Sequence, residues 1–309
     1  MFVQFIIFIV SLIVLLFSAK FFTQSAEKIG IWLNLPSFIV GVFIVGIGTS
    51  LPELISGIIA VRSGASEIVP SNIIGSNASN ILLITGLAVV FNKKTIELNK
   101  SYLYIDLHFL VGSFIYLTVI LYDNEINFAE SAIGIFIFIV YSIYLIKGGE
   151  QSDIQVEKKK ETPVKEILIL GLTCVGIYFG ADYTIAALQK IALGLDIPNS
   201  IVALTLLSLG TTLPELAVNV SAIKSGKPEL AVGNVLGSCV FNTLMIPPIA
   251  SAFGTIEVPQ SLLNFALPMM LAAGLFFYLL TQDKKISIWE GLMFICLYAL
   301  FIIKTAGLA

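Results

Sequence analysis

Two short stretches carry residues able to hold a cation: Gly48-Thr49-Ser50-Leu51-Pro52-Glu53 and Gly210-Thr211-Thr212-Leu213-Pro214-Glu215. Each lies in a run too apolar for a water-exposed loop, yet each contains an ionisable Glu, a helix-breaking Pro and two adjacent hydroxyls. A carboxylate near the middle of a bilayer costs about 2.5–3.5 kcal/mol on insertion scales, so it faces a cavity, a partner or an ion. Proline lacks an N–H, which leaves the carbonyl four residues back without its helical partner: Gly48 for Pro52 and Gly210 for Pro214. Thr49 shares a helical face with Glu53, and Thr211 with Glu215. Carbonyl, alcohol and carboxylate are the hard oxygen donors that Ca2+ gathers about six to eight at a time, and that Na+ also favours. The competing account is a proline kink whose Glu pairs with a buried base, but no Lys, Arg or His lies within either stretch.

A second set of polar residues recurs at four-residue spacing: Asn72, Ser76 and Asn80, then Asn234, Ser238 and Asn242. Each set forms a polar stripe on an otherwise apolar helix. Beside them Gly75 and Gly237 remove side-chain bulk and permit close helix approach. The stripes alone fit inter-helical hydrogen bonding as well as they fit ion ligation. Beside a Glu-bearing helix in each half, ligation becomes the better account.

Such residues need long apolar helices to position them, and the composition supplies these. Hydrophobic residues make up 57% of the chain and charged ones 12%, outside the range of soluble domains. Segments long enough to span a bilayer are read at 2–22, 37–61, 70–91, 101–121, 129–147, 164–192, 199–223, 230–252, 261–281 and 288–306. The first lacks the basic flank and cleavage pattern of a signal peptide and is read as a span. With the N-terminus outside, fourteen of the seventeen basic residues fall on the cytoplasmic side and only Arg62, Lys190 and Lys304 outside. That bias predicts a multi-pass protein of the cell membrane with both termini external. The net charge of −3 resides mostly in loops, and there is neither a basic groove for nucleic acid nor a P-loop for nucleotide. Cys174, Cys239 and Cys296 stand singly in apolar spans and are read as small packing residues.

The chain is one unit written twice. An offset of 162 residues superposes Lys28 on Lys190, Pro36 on Pro198, Gly48-Thr49 on Gly210-Thr211 and Pro52-Glu53 on Pro214-Glu215. It also carries Ser63-Gly64 onto Ser225-Gly226, Asn72 onto Asn234, Gly75-Ser76 onto Gly237-Ser238 and Asn80 onto Asn242. Five spans per copy force the second to enter from the opposite side. The expected fold is therefore an all-α polytopic membrane protein: ten helices as two inverted five-helix repeats, with broken helices at the centre and a site near the midplane. The repeats occupy 1–147 and 164–309, and the charged segment 148–163 is a cytoplasmic linker.

These motifs, with Gly75-Ser76-Asn77-Ala78-Ser79-Asn80 and the segment from Gly233 to Asn242, resemble the two alpha repeats of the sodium/calcium exchanger family, within the cation/Ca2+ antiporter superfamily. The resemblance implies a diamond of four ion sites. Glu53 and Glu215 would grip Ca2+ with the main-chain carbonyls of Thr49 and Thr211. Flanking Na+ sites would use the hydroxyls of Thr49, Ser76, Thr211 and Ser238 and the carbonyls of Gly46 and Ser208, with Ser50 and Thr212 close by. Asn80 and Asn242 would lie at the central site. It further implies that the first and sixth spans slide as a gating pair. Two departures stand out: Asn242 occupies a position where some relatives carry Asp, which argues against a K+ co-substrate, and Ser71 stands opposite Gly233.

The expected function is Na+/Ca2+ antiport by alternating access, with no cofactor, with Na+, Ca2+ and lipid as partners, and with a monomer as the unit. The alternative is a Ca2+/H+ antiporter, against which the extra hydroxyls count, since a proton carrier needs no additional oxygen ligands. An intramembrane enzyme finds little support: there is no HExxH pair. Asp106 and the single His108 read as interfacial residues of the fourth span, while Asp182 is a minor candidate for an ion pathway. A passive channel is disfavoured by two buried Glu without a ring-forming oligomer.

Overall fold

The computed structural model describes residues 2–92, 95–97, 103–148, 163–194, 199–283 and 285–305. Ten helical rods run through them. They are α1 (Phe2–Trp32), α2 (Ser37–Arg62), α3 (Ile68–Asn92), α4 (Leu103–Ile120), α5 (Phe128–Ser131 continuing as Ile133–Gly148), α6 (Val164–Gly194), α7 (Asn199–Lys224), α8 (Pro228–Ser251), α9 (Leu262–Leu280) and α10 (Ile288–Thr305). Eight of these are long and apolar enough to cross a bilayer. The chain is an all-helical, multi-pass membrane protein. The linker expected at 148–163 lies outside the described residues apart from its ends.

The helices sort by burial. Within its most apolar window α8 is 94% buried and α3 83%, whereas α1 is only 17% buried and α6 22%. The first two therefore form the centre, and the last two lie against lipid. At 31 residues each, α1 and α6 are about 46 Å long and extend beyond a hydrocarbon core about 30 Å thick. They pack along one another through small residues: a Cβ on Gly180 would lie 2.9 Å from the Leu15 backbone, and Thr184 Oγ1 donates to Ser11 Oγ at 2.9 Å. Small residues at such seams let membrane helices approach closely.

Four two-residue strands cap the helix ends. β1 (Ile96–Glu97) pairs antiparallel with β4 (Lys285–Ile286), and β2 (Glu125–Ile126) with β3 (Ile256–Glu257). Glu257 N also donates to Ser66 Oγ at 3.0 Å. Lys227 pairs with Glu27, and Lys28 with Glu166 at 3.6 Å. The strand pairs join the α3–α4 connection to that between α9 and α10, and the α4–α5 connection to that between α8 and α9. Gly64 and Gly226, equivalent in the sequence repeat, take positive φ values of 79° and 73° after α2 and α7. Ala65 N returns to Ala60 O and Lys227 N to Ala222 O, closing the two helices with the same turn.

The expectation of broken central helices is corrected. Pro52 lies inside the continuous segment Ile47–Arg62, and Pro214 inside Asn199–Lys224. One reason is local: the thiol of Cys174, from α6, donates to Gly48 O at 3.5 Å and meets the carbonyl that Pro52 leaves unpartnered. The irregularity in α2 falls earlier, as a π-turn over Gly41–Gly46, and α3 carries another over Ser79–Ile84. Such turns frequently mark functional positions.

Candidate functional site

The π-turn of α2 lies flat on α8. A Cβ on Gly46 would stand 2.9 Å from Ser238 N, and one on Gly237 would stand 2.6 Å from Val42 Cα. Only glycine tolerates this backbone approach, and it brings the polar residues of the two helices together. Thr49 Oγ1 lies 3.1 Å from Val45 O, 3.3 Å from Gly46 O, 3.2 Å from Asn234 Oδ1 and 3.4 Å from Ser238 Oγ. Ser238 Oγ in turn lies 3.2 Å from Gly46 O and 3.4 Å from Asn234 Oδ1. Five oxygens thus share two hydroxyl protons. Lone pairs outnumber donors, which is the condition for receiving a cation.

One turn along α2 from Thr49 is Glu53, and Glu215 of α7 lies near enough for the two charges to interact. Both are buried, at 3% and 1% exposure. Neither oxygen of Glu215, nor Oε2 of Glu53, meets a hydrogen-bond donor. Among the described residues both ion pairs lie at helix ends, so no base reaches these acids. A buried carboxylate left without partner is costly, and two that interact call for a positive charge between or beside them.

The other residues expected at the site are placed as follows. Ser50, Thr212, Ser76, Asn80 and Asn242 are all buried. Ser50 Oγ and both amide atoms of Asn80 and of Asn242 have no hydrogen-bond partner. Ser76 Oγ donates to Asn72 Oδ1 at 3.2 Å. Cys239 stands beside Asn80 and within charge range of Glu215, which puts α3, α7 and α8 at one centre. Ser208 and Thr211 fall within α7, but their side chains lie outside the described residues.

Several placements differ from those read in the sequence. Asp106 is fully buried in α4, against the core tyrosine Tyr141 of α5, and is not an interfacial residue. His108 is exposed as expected and meets Tyr278 OH at 3.3 Å. Asp182 is exposed on α6, beside Tyr183, which is itself 54% exposed. Sequence reasoning missed Asn219, one turn beyond Glu215 and 1% exposed. Its Oδ1 accepts from Asn234 Nδ2 at 3.1 Å. The repeat hides it, because position 57, its equivalent, is Gly.

The family model described as sodium/calcium exchanger protein matches residues 3–147 and 165–305. The chain is 28% identical to the sodium/calcium exchanger MaX1 of Methanosarcina acetivorans, covering 97% of this chain and 98% of that one. It is 24% identical to vacuolar cation/proton exchanger 2 of Oryza sativa subsp. japonica over 92% of this chain and 74% of the relative. A solved structure of the sodium-calcium exchanger NCX_Mj, soaked with 10 mM Na+ and zero Ca2+, superposes with a TM-score of 0.83 at 27% identity, covering 97% of each chain.

Proposed function

The chain belongs to the sodium/calcium exchanger family, and from that premise we propose that it is a secondary antiporter exchanging Na+ for Ca2+ by alternating access. Membership makes it a transporter and not an enzyme. Cation/Ca2+ exchange is what the family and its relatives support. Na+ as the counter-ion is the further step, and it rests on one observation: the buried, acceptor-rich cluster of Gly46, Thr49, Asn234 and Ser238 beside two buried glutamates. A proton needs one acceptor. Neutral oxygens gathered in one cluster suit a small metal cation.

Ca2+ is the substrate of the central pair. Glu53 and Glu215 hold it with the carbonyls of Thr49 and Thr211, and Asn80 and Asn242 complete the shell with carboxamide oxygens. One Na+ occupies the Gly46, Thr49 and Ser238 cluster, with Ser50 close by. The equivalent position in the other half uses Ser208, Thr211 and Ser76, with Thr212 close by. Two carboxylates neutralise one Ca2+, so a loaded centre can pass a low-dielectric barrier, whereas an empty, doubly negative one resists the passage. Na+ relieves the same repulsion by spreading over the carboxylates and hydroxyls. Exchange, rather than leak, follows. If more than two Na+ move per Ca2+, the membrane potential contributes about 2.3 kcal/mol per net charge per 100 mV.

The two halves, 1–147 and 164–309, are inverted five-helix repeats joined by the segment 148–163, with both termini outside. In a chain of ten alternating spans the partners of each strand pair, of each ion pair and of the Glu257–Ser66 bond all fall on one side of the membrane. The pseudo-two-fold exchanges the β1–β4 and β2–β3 pairs. The long, lipid-facing pair α1 and α6 is the element that moves across the remaining helices.

Radiolabelled Ca2+ uptake into proteoliposomes tests the counter-ion. An outward Na+ gradient should drive uptake, and a pH gradient of equal size should not. Uptake driven by pH alone would make the protein a Ca2+/H+ antiporter, in line with the cation/proton exchange for which the Oryza sativa relative is named.

A further inference from the structure

We infer that Asn219 is a positioning residue for one flanking cation pocket, fixing the carboxamide of Asn234 with its oxygen toward Thr49 and Ser238; this rests on the Na+ pockets proposed above. Asn219 projects from α7 one turn past Glu215, and Asn234 from the centre of α8. Both are buried, at 1% and 0% exposure. Asn234 Nδ2 donates to Asn219 Oδ1 at 3.1 Å, while Asn234 Oδ1 lies 3.2 Å from Thr49 Oγ1 and 3.4 Å from Ser238 Oγ.

A carboxamide has one oxygen and one NH2 group. With its NH2 group donating to Asn219 Oδ1, Asn234 turns its oxygen to the cluster. Turned the other way, Asn234 would aim protons at the hydroxyls of Thr49 and Ser238 and exclude a cation from the space between them. The arrangement leaves Asn219 Nδ2 buried without a partner, and a native fold retains few such orphaned donors without a return.

The other half lacks this device. Its equivalent of Asn219 is Gly57, whose hydrogen side faces Ile246 and Val69 at 3.5 and 3.8 Å from an added Cβ. Asn72, the counterpart of Asn234, accepts from Ser76 Oγ at 3.2 Å and is only half-buried. The pocket of Gly46, Thr49 and Ser238 is therefore preset for a small monovalent cation. Pre-organisation of this kind lowers the cost of binding Na+ there.

The test is Na+-driven Ca2+ uptake in proteoliposomes holding the full chain, with the Na+ and Ca2+ concentrations for half-maximal flux read separately. Asn219→Ala should raise the Na+ requirement by about tenfold, the lower end for losing a group that orients a metal ligand, and move the Ca2+ requirement by less than about twofold. In an Asn234→Ala background the same substitution should change nothing further, because the two residues act as one unit. Asn219→Ser, which removes less volume, should shift Na+ in the same direction and guards against a folding failure. An unmoved Na+ requirement, or equal shifts with and without Asn234, would overturn the role of Asn219 while leaving the antiporter assignment in place. Wild-type vesicles showing no Na+-driven uptake would overturn that assignment and this inference with it.

Discussion

The thiol of Cys174 donates to the carbonyl of Gly48 at 3.5 Å, so a residue of the lipid-facing helix α6 completes the hydrogen bonding of the proline-containing helix α2. Phe22 of α1 covers the same glycine, 2.9 Å from where a Cβ would stand. Both members of the outer pair thus pack on Gly48, and one of them meets its carbonyl. Replacing Cys174 by Ala leaves it unpartnered and should lower stability by about 0.5–1.5 kcal/mol. Cys174→Ser keeps a donor and should hold close to the parent. Thermal midpoints in detergent decide the matter, and equal midpoints for the two variants would reduce Cys174 to a packing residue.

That contact marks where sequence reading stopped. Glu53 and Glu215 were legible because an acid, a proline and paired hydroxyls inside an apolar run admit few structural explanations, and because each occurs twice at one offset. Gly64 and Gly226 were legible as matched turns for the same reason. Cys174 and Asn219 have Leu12 and Gly57 at the equivalent positions, so a search for matched pairs passes over them. The π-turns at Gly41–Gly46 and Ser79–Ile84 follow from how α2 and α3 pack against their neighbours, and helix type of this kind has no composition of its own. Asp106 looked interfacial from its place near the start of the fourth span. Burial depends on the packing of α4 against the core, which no local spacing reports.

Glu53→Gln or Glu215→Gln should abolish Ca2+ uptake while raising the ion-free thermal midpoint. The two carboxylates repel each other, and among the described residues neither has a salt bridge, so removing one charge removes the repulsion at no loss of an ion pair. Retained uptake in either variant would disprove the assigned Ca2+ centre. A lowered ion-free midpoint would show that the charges have stabilising partners after all.

Ca2+ itself should stabilise the wild type. A ligand present at about a hundred times its dissociation constant adds about 2.7 kcal/mol to the state that binds it. The thermal midpoint should therefore climb on Ca2+ addition and return on chelation. Neither glutamine variant should respond. A Ca2+-dependent climb that survives in both would place the binding site elsewhere in the chain.

The closeness of α2 and α8 gives the sharpest test of how the cluster is built. A Cβ added at Gly237 would lie 2.6 Å from Val42 Cα, which is backbone and cannot swing aside. Gly237→Ala must push α2 away by roughly an ångström to restore van der Waals separation, and Thr49 and Gly46 move with it. Misplacement on that scale can cost roughly a hundredfold where geometry governs a rate, so Na+-driven flux should fall at least about tenfold. Gly112 of α4 is the control: no atom lies within 4 Å of its added Cβ, and Ala is the better helix former by about 0.8–1.0 kcal/mol. Gly112→Ala should therefore transport like the parent. Full flux in Gly237→Ala would mean that the oxygens of α2 need not touch α8, and the cluster of Gly46, Thr49, Asn234 and Ser238 would lose its claim to the counter-ion.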